Sequence, residues 1–193
     1  MTYDLIIRNG RIADGTGLPA YRGDIGIKGG KIVEIGRIMD GADRVIDADG
    51  LVVAPGFIDH HTHFDAQNLW DPISSSSCYH GVTTVVTGNC SLSLAPCKPE
   101  DRDRLVGCFV RVEAISRRAL EAGVDWEWVT FAEYLDRLER SRGLNVAALV
   151  GHSAVRQFVM GDEACDRAAT PAEIEAMRRL VRESLESGAI GFS

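Results

Sequence analysis

The chain has 193 residues, a formal charge of −7 from 21 basic and 28 acidic side chains, and 45% hydrophobic content, an ordinary composition with enough apolar residues for a sizeable core. Mild acidity without long blocks of like charge argues against a nucleic-acid partner, and no apolar run approaches the ~18 residues of a membrane-spanning helix. Five cysteines at 78, 90, 97, 108 and 165 form no Cys-x-x-Cys pair, which suits reduced thiols, and the first residues lack a basic, apolar leader, so the expected location is the cytoplasm.

Residues 1–54 read as short β-strands. Ile25 and Ile27 alternate with Gly26 and Lys28, and Lys31-Ile32-Val33-Glu34-Ile35 follows Gly29-Gly30. Two glycines between such runs signal a tight hairpin, because both turn residues can take positive φ. Asp4–Arg8 before Asn9-Gly10 reads as a strand and turn, as does Arg44–Asp47 before Asp49-Gly50.

From residue 55 the pattern changes to strand, loop and helix. Gly56–Asp59, Val82–Thr87, Val146–Val150 and Ala189–Phe192 are short apolar runs, as expected of parallel strands buried on both faces. Thr130-Phe131-Ala132-Glu133 and Thr170-Pro171-Ala172-Glu173 are capping boxes that open two helices, the second with proline at the favoured first position. The first runs toward Gly143 and the second closes at Gly188. A further helix is expected within 101–122. Alternating β and α elements argue for a parallel sheet, but do not separate a barrel from a doubly wound sheet.

The segment Pro55-Gly56-Phe57-Ile58-Asp59-His60-His61-Thr62-His63 carries the chemistry. Residues i and i+2 of a strand point the same way, so His61 and His63 present two imidazoles on one side, as ligands of one metal ion require. His60 points away. The next strand ends in Gly88-Asn89-Cys90 and the third in Gly151-His152-Ser153. Cys90 is either a thiolate ligand or a small buried hydrophobe. His152 is a candidate to touch substrate or a hydrogen-bonded loop histidine. Arg156 is a candidate partner for a substrate carboxylate or an ordinary surface arginine. Asp65 and Asp71 follow the His pair, and loop capping accounts for them as well as a catalytic role does.

The His61/His63 segment resembles the first-strand metal motif of the amidohydrolase superfamily, metal-dependent hydrolases built on a (β/α)8 barrel with a small β-sandwich. Gly81–Cys90, Asn145–Arg156 and Gly188–Ser193 are similar to segments of the N-acyl-D-amino-acid deacylases (D-aminoacylases), where a cysteine after strand two is a zinc ligand. That family usually has glycine where this chain has Ser91. The resemblance implies an α/β TIM-barrel fold, with residues 1–54 the N-terminal part of the β-sandwich and 55–193 the first half of the barrel, through about four strands. A whole barrel needs ~250 residues, so the chain is expected to be part of an enzyme. It further implies one or two zinc ions at His61, His63 and Cys90, a small-molecule substrate, neither nucleic acid nor membrane as partner, and a general-base aspartate beyond residue 193.

Lysine occurs only at 28, 31 and 98, which disfavours the amidohydrolases that bridge two metals with a carboxylated lysine, such as hydantoinases, dihydropyrimidinases and dihydroorotases. A cyclic amidase of that kind, or a non-catalytic module on the same fold, are the alternatives to deacylation of N-acyl-D-amino acids.

Overall fold

A computed structural model describes residues 2–140 and 143–193. The chain forms two compact units, residues 1–56 and 57–193.

The first unit holds β1 (Tyr3–Ile12), β2 (Tyr21–Lys28), β3 (Lys31–Gly36), β4 (Ala42–Asp47) and β5 (Val52–Val53). They form one sheet in the order β3-β2-β1-β4, with β5 on the end of β1. The β2–β3 hairpin turns at Gly29 and Gly30, with φ of 59° and 71°, as the sequence predicts. Asn9-Gly10 does not turn the chain. It lies inside β1, where the register with β2 slips between Ile7 and Gly10. Asn9, at φ 61°, takes two partners distant in sequence: its N–H donates to Asp24 Oδ1 and its Nδ2 to Asp47 Oδ1, both at 2.9 Å. Those bonds turn a local turn signal into a β-bulge. Tyr3, Ile6 and Ile38 form the buried cluster of this unit, while Ile32, Val33, Ile35 and Val45 are half or more exposed or nearly so.

The second unit has β6 (Phe57–Asp59), β7 (Val82–Thr87), β8 (Asn145–Val150) and β9 (Gly191–Phe192). They pair in sequence order, every pair parallel. The connections carry α1 (Ser75–Cys78), α2 (Arg102–Val112), α3 (Arg117–Gly123), α4 (Phe131–Glu139), α5 (His152–Met160) and α6 (Pro171–Glu186). Sequential parallel strands with helical crossovers are what the β/α alternation predicts.

Both capping boxes form. Glu133 N–H donates to Thr130 Oγ1 at 3.3 Å and Thr130 N–H to Glu133 Oε2 at 2.8 Å, and Thr170 with Glu173 repeats the arrangement. The end expected for the first of these helices, before Gly143, falls partly on residues 141 and 142, outside the described residues. The single helix expected within 101–122 is two helices. Ala114 at φ 54° stops α2, and Ser116 caps α3 by accepting from Ala119 N–H at 3.1 Å. Trp128 packs into the core with Phe109, Phe131 and Tyr134, its Nε1–H donating to the Leu94 carbonyl at 2.8 Å. The same cluster takes in Ala148 and Val150 of β8.

Candidate metal centre

Strand β6 ends at Asp59, before the two histidines, so the regular pleat does not itself pair their rings. The strand-like alternation survives because Thr62 continues the contact with β7. Its N–H and Oγ1 both donate to the Val86 carbonyl, at 3.0 and 2.7 Å, and its side chain is buried. The residues on either side of this anchor are therefore turned the other way. The His61 and His63 ring centroids lie 5.5 Å apart at 61°. His60 is exposed and takes no part in this grouping.

Cys90 is delivered by an unusual turn after β7. Gly88 has φ 79°, and a Cβ on it would lie 2.0 Å from the Leu149 carbonyl oxygen of β8, so only glycine fits. Asn89 follows, buried, its Nδ2 donating to the carbonyls of Val86 at 3.0 Å and Thr62 at 3.2 Å. This side chain ties the end of β7 to the histidine-bearing segment. Cys90 and Ser91 then both adopt left-handed backbone, at φ 54° and 68°, which costs a non-glycine residue about 1–2 kcal/mol. The serine that replaces the family's glycine thus sits where glycine would be at ease. Backbone bonds hold it: Ser91 N–H donates to Ser193 Oγ at 3.0 Å, and its carbonyl accepts from Ser153 N–H at 3.1 Å.

The result is a compact donor set. His61 Nε2 is 3.2 Å from Cys90 Sγ, and one ligand atom from each of His61, His63 and Cys90 lies within 4.8 Å of the other two. Ligands 2.0–2.3 Å from one tetrahedral ion sit about 3.5 Å apart, so the trio fits a single small cation. Two imidazoles and a thiolate suit zinc and oppose magnesium or calcium, which take oxygen. Among the described residues this is the one cluster of three or more such side chains that could hold a metal ion. A cavity of about 340 Å³ adjoins it, lined by Asp59, His61, His63, Gln67, Glu113 and Ile115 among others.

Two carboxylates near the trio carry more than their sequence context suggests. Asp65 is not a loop cap but a buried group, 1% exposed. Its Oδ2 accepts from Gly88 N–H at 3.2 Å while Oδ1 has no partner. Burial pushes its carboxyl up to about 7, the bond from Gly88 opposing and the charge of Glu113 adding slightly. Glu113, at the end of α2, places Oε1 3.5 Å from His63 Nδ1. It lies fifty residues from the histidines, and no spacing rule points to it. Asp71 does cap, accepting from the N–H and Oγ of Ser75 at 2.8 Å.

The other two candidates stand apart from the trio. His152 opens α5, its N–H donating to the Ser193 carbonyl at 2.7 Å and its ring meeting Phe192 edge-on at 6.0 Å. Arg156 donates Nε–H to the Ala164 carbonyl at 2.6 Å and Nη2–H to the Arg167 carbonyl. As folded, two of the five guanidinium N–H donors brace the segment after α5. Both residues line a groove of about 760 Å³ whose other walls are mainly apolar side chains of α6.

The described residues contain no helix long and apolar enough to cross a membrane. The mixed α/β architecture matches solved deacylases. The crystal structure of N-acyl-D-glutamate deacylase from Bordetella bronchiseptica, complexed with zinc and a phosphonate mimic of the tetrahedral intermediate, superposes with a TM-score of 0.83 at 35% identity over 100% of this chain and 38% of that one. A D-aminoacylase of Alcaligenes xylosoxydans xylosoxydans is 42% identical over 99% of this chain and 37% of its own length. The N-acyl-D-aspartate deacylase of the same organism is 41% identical over 98% of this chain and 36% of its own. The chain thus spans little more than a third of these relatives. With residues 44–193 matching the profile of the amidohydrolase family, the chain belongs to that family.

Proposed function

We propose that this chain supplies part of the metal centre of a zinc-dependent hydrolase that cleaves the amide of N-acyl-D-amino acids, releasing a carboxylate and a free D-amino acid. The observation that carries the reading is Cys90, held on the Gly88 turn 3.2 Å from His61 Nε2. A thiolate ligand in that place is consistent with the lack of lysine between residues 99 and 193, which disfavours the branches that use a bridging lysine. Similarity to three deacylases over nearly the whole chain supports the same substrate class.

Zinc held by His61, His63 and Cys90 would act as a Lewis acid toward the scissile carbonyl and bring the pKa of water toward ~7. The chain's own task is to fix those donors. Thr62 and Asn89 lock the two strand ends together, Gly88 permits the approach of β8, and buried Asp65 fastens the histidine loop to Gly88. Discrimination of D from L enantiomers needs at least three fixed points, of which the metal supplies one. In this reading residues 1–54 are part of a β-sandwich, residues 55–193 the first four strands of a (β/α)8 barrel, and the general base and further ligands belong to the barrel's other half. The five cysteines are all free thiols, which suits a reducing cytoplasm.

A side-by-side kinetic comparison of the full-length enzyme that includes this chain, on N-acetyl-D-methionine, N-acetyl-L-methionine and dihydrouracil, tests the proposal. The expected result is turnover of the D-enantiomer well above the other two. Preference for dihydrouracil would replace it with a cyclic amidase.

A further inference from the structure

The loop that parts α2 from α3 brings a carboxylate to the candidate centre. Glu113 closes α2, its N–H donating to the Phe109 carbonyl at 3.0 Å, and the left-handed Ala114 beside it stops the helix. Its side chain is 18% exposed and that of His63 is 22% exposed, with Glu113 Oε1 3.5 Å from His63 Nδ1. Nδ1 itself is shut off from solvent and has no hydrogen-bond partner of normal length. The two atoms stand at ion-pair distance, just beyond a hydrogen bond of normal length.

A neutral imidazole bears a proton on one nitrogen and a lone pair on the other. A proton on Nδ1 meets the carboxylate oxygen favourably. A lone pair there would be repelled by it and stripped of water, which is costly in a site of low dielectric. The arrangement therefore selects the Nδ1–H form and leaves the lone pair on Nε2. We propose that Glu113 is a positioning residue for His63: it accepts the Nδ1 proton, fixes the tautomer and ring orientation, and presents Nε2 to the metal ion. This inference rests on reading His61, His63 and Cys90 as ligands. Carboxylates behind ligating histidines tune metal affinity by about 10–100-fold.

The test uses the full-length protein as wild type, Glu113→Ala and Glu113→Gln, checked for equal thermal melting. Zinc dissociation constants come from competition with a chelator, and nitrogen NMR shifts of the His63 ring in metal-free protein above neutral pH report the tautomer. Wild type is expected to show Nδ1–H. Glu113→Ala should move His63 toward Nε2–H and weaken zinc about 10–100-fold. Glu113→Gln, whose amide oxygen still accepts the proton, should keep the tautomer and most of the affinity, a rescue that a direct metal ligand would not show. Nε2–H in wild type, or Glu113→Ala with unchanged tautomer and affinity, overturns the proposal. If wild type binds no zinc but its tautomer still follows Glu113, the metal-site reading falls and the Glu113–His63 contact stands.

Discussion

Replacing Gly88 with alanine isolates the close approach that sets Cys90. The residue has φ 79°, and its added Cβ would lie 2.0 Å from the Leu149 carbonyl oxygen and 2.8 Å from the carbonyl carbon. Left-handed backbone costs alanine about 1–2 kcal/mol, and forcing backbone apart in a packed region adds about 1–3 kcal/mol. Together they amount to about 3 kcal/mol, or roughly 150-fold in the folding equilibrium. Gly81→Ala is the internal control. Gly81 has nearly the same φ, 83°, but its Cβ would meet only the Phe57 ring at 3.5 Å, an ordinary contact. It should lose only the conformational share, about 1–2 kcal/mol. Urea denaturation of both variants measures the difference, and chelator competition measures zinc affinity. Gly88→Ala should weaken zinc because Cys90 shifts with the strand end, while Gly81→Ala should leave it alone. Equal stability losses, or full zinc affinity in Gly88→Ala, would refute the argument that this glycine places the thiolate.

Ser91→Gly should stabilise the fold by up to about 1 kcal/mol, because it relieves left-handed strain at φ 68° while keeping both backbone bonds; a thermal melt reads the change. Glu173 gives a pH signature: hydrogen bonds from Arg167, then from Thr170, hold its carboxyl at about 2, below its ordinary 4.5. A lowered folded-state value favours the fold above about pH 4.5, and the contribution is lost as pH falls from there toward 2. Solvent screening keeps it small, and acid titration of stability in Glu173→Gln should lack that slope.

Features encoded by a few adjacent residues are legible in the sequence. Gly29-Gly30 and the Thr130 and Thr170 capping boxes form as the residues suggest, because their partners lie within three or four positions. Asn9-Gly10 carries an equally strong turn signal and fails, since Asp24 and Asp47 reach Asn9 only after the sheet assembles. The helix expected within 101–122 breaks where Ser116 offers a better cap than continued helix. At the site, His61, His63 and Cys90 are marked by strand-end motifs, and folding draws them within 4.8 Å. Glu113 carries no such mark, because the fold and not the spacing brings it to His63. Arg156 has the right chemistry for a carboxylate clamp, yet two carbonyls that the sequence does not reveal engage its guanidinium.

Zinc content of the purified full-length protein, measured by elemental analysis in wild type, Cys90→Ser and the His61→Ala/His63→Ala double variant, bears most directly on the metal centre. Stoichiometric zinc in wild type and clear loss in both variants is the expected result. Wild type free of metal yet active, or a double variant with undiminished zinc and activity, would contradict it.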